Sequence, residues 1–373
     1  MTLLIPHGFE PNYTLGFARG LQAIDVEVLL VGADEDAARA AAAGIPHINL
    51  RGAQNEDRSR AAKLLGLLRY YARLLGLLLR HRGRTVHFCG LLDHRLIVLD
   101  GLFLTLALRL CAGKYLHTAH NTLPHGRAQQ PLFRWIYRWV YRLPHTILAH
   151  SPGVADELHR DFGVARERIR VIPIGLNEEV PETDLSAATA RQQLGLPATG
   201  PFLLFFGKID TYKGLDLLAA AWAQVRSTDV HLVIAGWCPD PALARDLRAR
   251  FAATLGADRV IWREGFVPNA EVSLLLRATD AVVLPYRHIY QSGVIFLCLR
   301  FGVPVIATRV GSMAEFIDAE SGILTTPDDA GALATALDGL CAAPDRFDRA
   351  RIRARATAYR WPAQCARIRD LYP

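Results

Sequence analysis

The stretch Phe205-Phe206-Gly207-Lys208-Ile209-Asp210-Thr211-Tyr212-Lys213-Gly214-Leu215-Asp216 decides the fold. An apolar run ends at Gly207, a short loop carries two lysines, and a helical pattern opens near Gly214. A helix N-terminus offers free N–H groups and a partial positive charge. Lys208 and Lys213 add two full charges at the same mouth, which suits a diphosphate. The segment is not a P-loop, because G-x-x-x-x-G-K-[ST] is absent. The same strand–loop–helix grammar returns in Val283-Leu284-Pro285-Tyr286-Arg287-His288-Ile289-Tyr290-Gln291-Ser292-Gly293-Val294. It returns again in Val305-Ile306-Ala307-Thr308-Arg309-Val310-Gly311-Ser312-Met313-Ala314-Glu315. Glycine lets a phosphate approach the backbone closely, and Ser292 can cap its helix or donate to phosphate. Three such loops along one sheet edge predict a parallel α/β domain built for anion and backbone contact.

Outward from these loops, short apolar runs alternate with helical patterns along the whole chain. Strands are expected at 3–5, 26–31, 85–88, 115–118 and 146–149, and then at 202–206, 231–235, 260–262, 281–284 and 304–307. Helical stretches separate them, and the Pro-, Gly-, Thr- and Glu-containing segment 177–201 reads as a linker between two βα series. Two such series predict two parallel sheets, each covered by helices on both faces.

Composition bounds the rest. Of 373 residues, 51% are hydrophobic and 21% charged, which allows sizeable cores and argues against disorder. The net charge of +7 leaves phosphate-bearing ligands, nucleic acid and an anionic membrane surface open as partners. The cysteines, at 89, 111, 238, 298, 341 and 365, form no C-x-x-C pair, so zinc and thioredoxin-type readings lack support. Met1-Thr2-Leu3-Leu4-Ile5-Pro6 lacks a basic segment followed by a long apolar run, so a cytoplasmic protein with reduced thiols is expected. The leucine-rich stretch 64–79 is broken by Arg69 and Arg73, and 96–108 contains Asp100, so neither is expected to span a membrane.

Together these phrases resemble the GT-B glycosyltransferases, specifically the large retaining family 4 of bacterial sugar transferases for polysaccharide and glycolipid assembly. The matching phrases are F-F-G-K-I-D-T-Y-K-G-L-D, E-G-F-V-P-N-A-E-V, L-P-Y-R with Q-S-G-V, and G-V-P-V-I-A-T-R-V-G-S-M-A-E. In the first half they are H-T-A-H-N-T-L-P-H, A-H-S-P-G-V-A-D-E-L and V-I-P-I-G. The resemblance covers nearly the whole chain. It implies an α/β protein of GT-B architecture, with two Rossmann-like doubly wound domains facing a central cleft. Residues 1–172 would bind the acceptor and 173–359 the nucleotide-diphosphate sugar. Residues 360–373 would cross back to the first domain, since Tyr359-Arg360-Trp361-Pro362 resembles the family's closing segment.

The resemblance also implies roles for single residues. Lys208 and Lys213 would contact the donor diphosphate, with Gly207 and Arg287 in the same donor-binding set. Glu264, Gly265, Phe266 and Val267 would sit beside the base. Ser292, Gly293 and Val294 would contact the sugar phosphate. Two departures stand out. Lys208 replaces the usual Arg, and Ile289 and Leu297 occupy the positions of two glutamates that the family spaces E-x7-E. In the first half the resemblance places His120 at the histidine that reaches the donor sugar, where an imidazole can hydrogen-bond a hydroxyl. The loop 7–13 offers Glu10, Asn12 and Tyr13 to acceptor hydroxyls.

Without an obvious protein nucleophile, retaining transfer can proceed on one face of the sugar, the leaving phosphate accepting the acceptor's proton. Catalysis would then rest on charge stabilisation by Lys208, Lys213 and the Ser292-Gly293 loop, with His120. No D-x-D motif suited to a nucleotide-bound cation is present, so neither a metal nor a cofactor is expected.

From Arg58 to Arg84 there are eight Lys or Arg and no acidic residue. On a helix, Arg69, Arg73, Arg80 and Arg84 fall within about 60° of one another, with leucines on other faces. Such a basic amphipathic helix can lie on an anionic bilayer, and Trp135, Tyr137, Trp139 and Tyr141 beside Arg134, Arg138 and Arg142 suit the interface as well. The expected partners are therefore a nucleotide-diphosphate sugar, a lipid-linked or oligosaccharide acceptor, and an anionic membrane surface at the inner face of the cell membrane. The lost glutamates keep open a non-catalytic sugar-nucleotide-binding subunit. A sugar-nucleotide epimerase is a further enzyme reading. The basic pI keeps open a nucleic-acid-binding protein, against which no RRM, KH or helix-turn-helix signature is found.

Overall fold

Parallel ladders join every pair of neighbouring strands in the computed structural model, which describes residues 1–6, 11–52, 59–90, 96–124 and 130–373. The chain divides into two units, residues 1–175 with 359–373 and residues 176–358. Unit 1 contains β1 (Thr2–Ile5), β2 (Val28–Gly32), β3 (His47–Asn49), β4 (Thr85–Phe88), β5 (Lys114–Ala119), β6 (Thr146–Ala149) and β7 (Ile169–Val171). They lie in the order β3-β2-β1-β4-β5-β6-β7. Unit 2 contains β8 (Phe202–Phe206), β9 (His231–Gly236), β10 (Val260–Glu264), β11 (Ala281–Leu284), β12 (Val305–Thr308) and β13 (Gly322–Thr325). Their order is β10-β9-β8-β11-β12-β13. Each unit is thus a Rossmann-like doubly wound sheet. Strand order reverses between β1 and β4 in one and between β8 and β11 in the other. Ligands of open α/β sheets bind outside the strand C-termini at such points.

The central strands are buried at every position in β1, β4, β6, β11 and β12, as parallel strands covered on both faces must be. Helices between them start and stop at legible signals. Before the helix Pro152–Phe162 the Ser151 hydroxyl accepts from the Val154 N–H at 3.2 Å, Pro152 opens the first turn, and Gly163 closes it at φ +69°.

The closing segment packs inside unit 1. Trp361 is almost fully buried, and a Cβ added at Gly16 or Gly175 would lie 2.1 or 2.2 Å from its ring. Those glycines make the socket that the indole fills. The Tyr372 hydroxyl lies 2.8 Å from His87 Nδ1, so the last residues also join the polar core of this sheet.

The segment 177–201 is not a free linker. It belongs to unit 2 and carries the helix Ala187–Gln193, where the Arg191 guanidinium meets Asp280 at 3.0 Å and covers the Phe202 ring. Three strands absent from the sequence-based list, β3, β7 and β13, are short outer strands of the two sheets. The leucine-rich stretch around Asp100 forms a π-helical segment, Leu99–Leu104, running into the helix Thr105–Cys111. Among the described residues no helix is long and apolar enough to cross a membrane.

Candidate functional site

The β8/β11 switch point of unit 2 gathers the first two sequence loops. After β8, Gly207 turns the chain at φ +124°. Asp210 accepts from the Thr211 N–H at 2.8 Å and starts the tight turn Thr211–Lys213. Gly214 follows at φ +68°, and a Cβ there would lie 1.9 Å from the Pro285 carbonyl oxygen. Only glycine lets the loops after β8 and β11 touch in this way.

That contact sets Lys213 over Tyr286. The Lys213 side chain is only 8% exposed, its Nζ lies 4.0 Å from the centre of the Tyr286 ring, and the Tyr212 ring lies 5.3 Å away. No described carboxylate forms an ion pair with it. Burial pushes its ammonium below the usual lysine range. A buried cation set against aromatic rings and without an ion-pair partner favours an incoming anion.

Ser292 supplies the second unfilled group. It precedes the helix Gly293–Phe301, yet its hydroxyl caps no N–H. The side chain is buried beside the Tyr286 hydroxyl, and neither oxygen makes a well-formed hydrogen bond. The first N–H groups of a helix have no intrahelical partner. A Cβ added at Gly293 would meet nothing within 4 Å, so there is open space beside this first turn.

The third loop braces the second. Thr308 donates to the Tyr286 carbonyl, and Ser312 donates to the Tyr290 carbonyl at 2.7 Å. Gly311, at φ +50°, leaves no room for a Cβ against the Ile289 carbonyl, 1.7 Å away. Arg287, expected in the donor set, is a strut. Its guanidinium holds both Asp216 oxygens at 2.5 and 2.8 Å and reaches Asp328 at 3.0 Å. Lys208 is exposed and paired with Asp210 at 3.0 Å, so it does not share the environment of Lys213. Leu297 packs in the core, and Ile289 meets Gly311 through its backbone.

At the far edge of this sheet, Gly236 at the end of β9 pairs with Glu264 at the end of β10. Beyond these ends the aromatic side chains of Trp237 and Phe266 are 56% and 87% exposed. Glu264 pairs with Arg248, Gly265 turns at φ +123°, and Val267 is half-buried. Trp237 and Tyr286 were missed in sequence. The phrase G-W-C-P-D after an apolar run was the available signal for Trp237, and nothing local marked Tyr286 as the platform for Lys213.

In unit 1, His120 follows β5. Its Nε2 lies 2.7 Å from the Cys89 carbonyl oxygen and its Nδ1 lies 3.2 Å from His150 Nε2. His150 Nδ1 in turn lies 2.9 Å from the Ile172 carbonyl oxygen. Both nitrogens of His120 therefore meet protein atoms, and contact with a sugar requires one of these to be exchanged. Burial, the neighbouring His150 and other imidazoles hold His120 well below the usual histidine range, so the ring is neutral near pH 7. The Tyr13 ring stands edge-on to His120 and Trp361, at 4.7 and 5.0 Å between ring centres. Tyr13, expected to face an acceptor, is therefore a core residue. The helix Pro11–Gln22 begins early enough to turn it inward. Asn12 accepts from the Arg39 guanidinium. Glu10 lies outside the described residues. Arg69, Arg73, Arg80 and Arg84 are all exposed, the first three on the helix Arg60–Arg80. Among the described residues no three His, Cys, Asp or Glu side chains gather as around a metal ion.

Two family models match the chain. The glycosyl transferases group 1 model covers residues 200–343, and the glycosyltransferase family 4 model covers residues 11–180. A D-inositol 3-phosphate glycosyltransferase from Xylanimonas cellulosilytica is 30% identical over 235 residues, 61% of this chain and 56% of that protein. Its counterpart from Acidothermus cellulolyticus is 34% identical over 191 residues, 48% of this chain and 42% of its own. The chain thus spans about half the length of the curated relatives it matches. A sucrose-phosphate synthase from Thermosynechococcus elongatus superposes with a TM-score of 0.77 at 22% identity, over 99% of this chain and 97% of the other. Anabaena HepE, solved in complex with UDP and glucose, gives 0.76 at 18% identity, over 99% of each chain. With both family models in chain order and this fold in both units, the chain belongs to the family 4 glycosyltransferases of GT-B fold.

Proposed function

We propose that this protein transfers a glycosyl group from a nucleotide-diphosphate sugar to a saccharide acceptor, with retention. One observation carries the reading. A buried ammonium without a carboxylate, Lys213, shares a loop pair with an unpartnered hydroxyl, Ser292, at an open helix N-terminus. Lys213 neutralises one diphosphate oxygen, and the Ser292 hydroxyl with the Gly293 and Val294 N–H groups binds another. Trp237 and Phe266, at the ends of adjacent strands, flank the base. HepE, the fold relative solved with UDP and glucose, supports this donor class.

In the transfer step the bond from the anomeric carbon to the phosphate oxygen breaks. A bond to the acceptor hydroxyl oxygen forms on the same face, and the hydroxyl proton passes to the departing phosphate. Charge grows on the diphosphate, so Lys213 and the Ser292 loop contribute most in the transition state. They take the place of a metal ion, and activity persists in a chelator. His120 binds the transferred sugar once its contact to His150 is exchanged. Unit 1 binds the acceptor. The unpartnered arginines Arg69, Arg73, Arg80 and Arg84 hold the protein at an anionic membrane surface, which favours a lipid-linked acceptor in polysaccharide or glycolipid assembly.

A second acceptor reading comes from the relatives named D-inositol 3-phosphate glycosyltransferase, which favour an inositol phosphate. One experiment separates them. The protein is incubated with each nucleotide-diphosphate sugar and either bacterial lipid extract or inositol phosphate, and products are read by mass spectrometry. A glycosylated lipid supports the first reading and glycosylated inositol phosphate the second. Release of nucleotide with neither product, or no turnover at all, overturns the transferase reading.

A further inference from the structure

Among the described residues, three helices of unit 1 leave a broad apolar surface uncovered, and its chemistry identifies what covers it. They are Arg60–Arg80, the continuous segment formed by Leu99–Leu104 and Thr105–Cys111, and Pro131–Arg142. They are neighbours. The Tyr71 hydroxyl donates to the Asp100 carboxylate, linking the first to the second. A Cβ at Gly101 would lie 2.3 Å from Ile136, so the second and third touch. From all three, large apolar side chains point into solvent. Leu68 is 59% exposed, Phe103 63%, Leu110 66% and Trp135 58%.

The first helix shows how this surface is organised. At 100° per residue, Leu64, Leu68, Leu75 and Leu79 fall within about 60° of one another. Arg69, Arg73 and Arg80 form a separate row roughly 130° around the helix from that stripe. The buried Tyr70, Leu74, Leu77 and Leu78 take the remaining face. This helix therefore has one face for the core, one apolar face for a non-aqueous partner and one cationic face beside it. Across the three helices the only acidic residue is Asp100, which is fully buried. Arg109 and Arg138 are exposed on the other two helices.

We propose that this face inserts into the headgroup and acyl boundary of a bilayer containing anionic lipid. Charge complementarity selects that occupant. A second copy of the same face would bring two rows of arginine together with no exposed acid on the three helices between them. A bilayer offers anionic headgroups to the arginines and acyl chains to Phe103, Leu110 and the leucine stripe, with Trp135 at the level where indoles settle. The inference rests on the membrane-borne acceptor proposed above for its purpose, but adhesion itself needs neither donor nor acceptor. It changes the expected salt response, because inserted apolar side chains keep hold when salt screens the arginines.

The test is vesicle flotation of the full chain without substrate, at low and high salt, with neutral and with anionic vesicles. The variants are Phe103→Ser/Leu110→Ser/Trp135→Ser and Arg69→Gln/Arg73→Gln/Arg80→Gln/Arg84→Gln. All the changed side chains are exposed, and unchanged melting of each variant confirms its fold. The apolar variant should lose at least tenfold in bound fraction at both salts. The arginine variant should lose its preference for anionic vesicles yet keep salt-resistant binding. Flotation of the apolar variant equal to the parent's overturns the proposal. So does a parent that stays off vesicles and forms a dimer which the apolar variant dissolves, since the face would then be a self-association surface. Glycosyl transfer is read separately, so its failure would leave these outcomes standing.

Discussion

The switch points of the two units differ in how their polar groups are partnered. In unit 2, Lys213 is buried on aromatic faces without a carboxylate, and Ser292 holds its hydroxyl out of any cap. In unit 1 several polar groups near β4 and β5 meet one another, while His117 Nδ1 and the Tyr115 hydroxyl, deeper in β5, have no hydrogen-bond partner among the described residues. His87 contacts Thr118 and Tyr372, and His120 contacts Cys89 and His150. A site with unfilled groups is ready for a ligand at little reorganisation, whereas a closed network must exchange a contact first. On the proposed reading, unit 2 would bind the anionic substrate tightly and unit 1 would offer an adjustable, weaker site.

The sharpest way to break the comparison is to open unit 1 from behind. Trp361 fills the socket made by Gly16 and Gly175 and stands against Tyr13, which itself lies against His120 and His150. Removing a buried indole costs about 3–5 kcal/mol through lost contacts and the cavity left behind. Trp361→Ala should therefore lower the melting of unit 1 and leave that of unit 2 in place. Calorimetry resolving two transitions checks this. An equal shift in both would show that the tail does not belong to unit 1 alone.

Next in size is Lys213→Ala. If the ammonium stabilises charge developing on the diphosphate, its loss costs about 2–4 kcal/mol in the transition state, roughly 30- to 1000-fold in kcat/KM. Nucleoside-diphosphate stabilisation in a thermal shift should shrink as well. Because the ammonium is buried without a counter-charge, the same substitution should hold or raise stability in the free protein. A mutant that turns over normally would remove the phosphate role.

These two sites were unequally legible in the sequence. Apolar runs with glycine at their ends marked the central strands, because strands buried on both faces leave an unbroken hydrophobic signal. The short outer strands β3, β7 and β13 had no such signal, being partly exposed. Lys213 and Ser292 were visible as loop residues. Their relation was not, since it depends on the β8/β11 pairing that brings Tyr286 beneath the lysine. Arg287 read as a ligand cation because its partners, Asp216 and Asp328, lie far along the chain. Tyr13 read as an acceptor contact because sequence places it after a strand but does not say which way the following helix turns it.

Acid should separate the units again. Burial holds His87 and His117 down to about 3 and His150 to about 4, from the usual 6.5. Above pH 6.5 these rings are neutral in both folded and unfolded chains, and their stability contribution is complete. As pH falls below 6.5 the unfolded chain takes up protons that the folded unit excludes, so unfolding gains, until the folded rings titrate near 3–4. At pH 5 the loss approaches about 2 kcal/mol for each such histidine. The His120–His150 pair adds a particular demand. Two carbonyl contacts and one ring-to-ring contact need three protons on the pair, and burial favours two. Between pH 7.5 and 5 the unit 1 transition should fall well ahead of unit 2, whose His231 is partly exposed.

The smallest effect expected is at Lys208, and it tests whether charge alone makes the donor site. Lys208 and Lys213 border the same short loop and carry the same charge, so a purely Coulombic site would weight them alike. Their surroundings differ. Lys208 is exposed and already faces Asp210 at 3.0 Å, whereas Lys213 has been removed from water. An exposed ion pair is worth about 0–1 kcal/mol, and solvent screens what Lys208 can offer a phosphate. Lys208→Ala should therefore reduce kcat/KM by no more than about tenfold, with the loss growing at low salt. Lys208→Arg should recover it by adding a planar fork that can hold two phosphate oxygens. Kinetics of the three single variants at two ionic strengths decide the matter. Equal losses at Lys208 and Lys213 would mean that burial contributes nothing to the donor site.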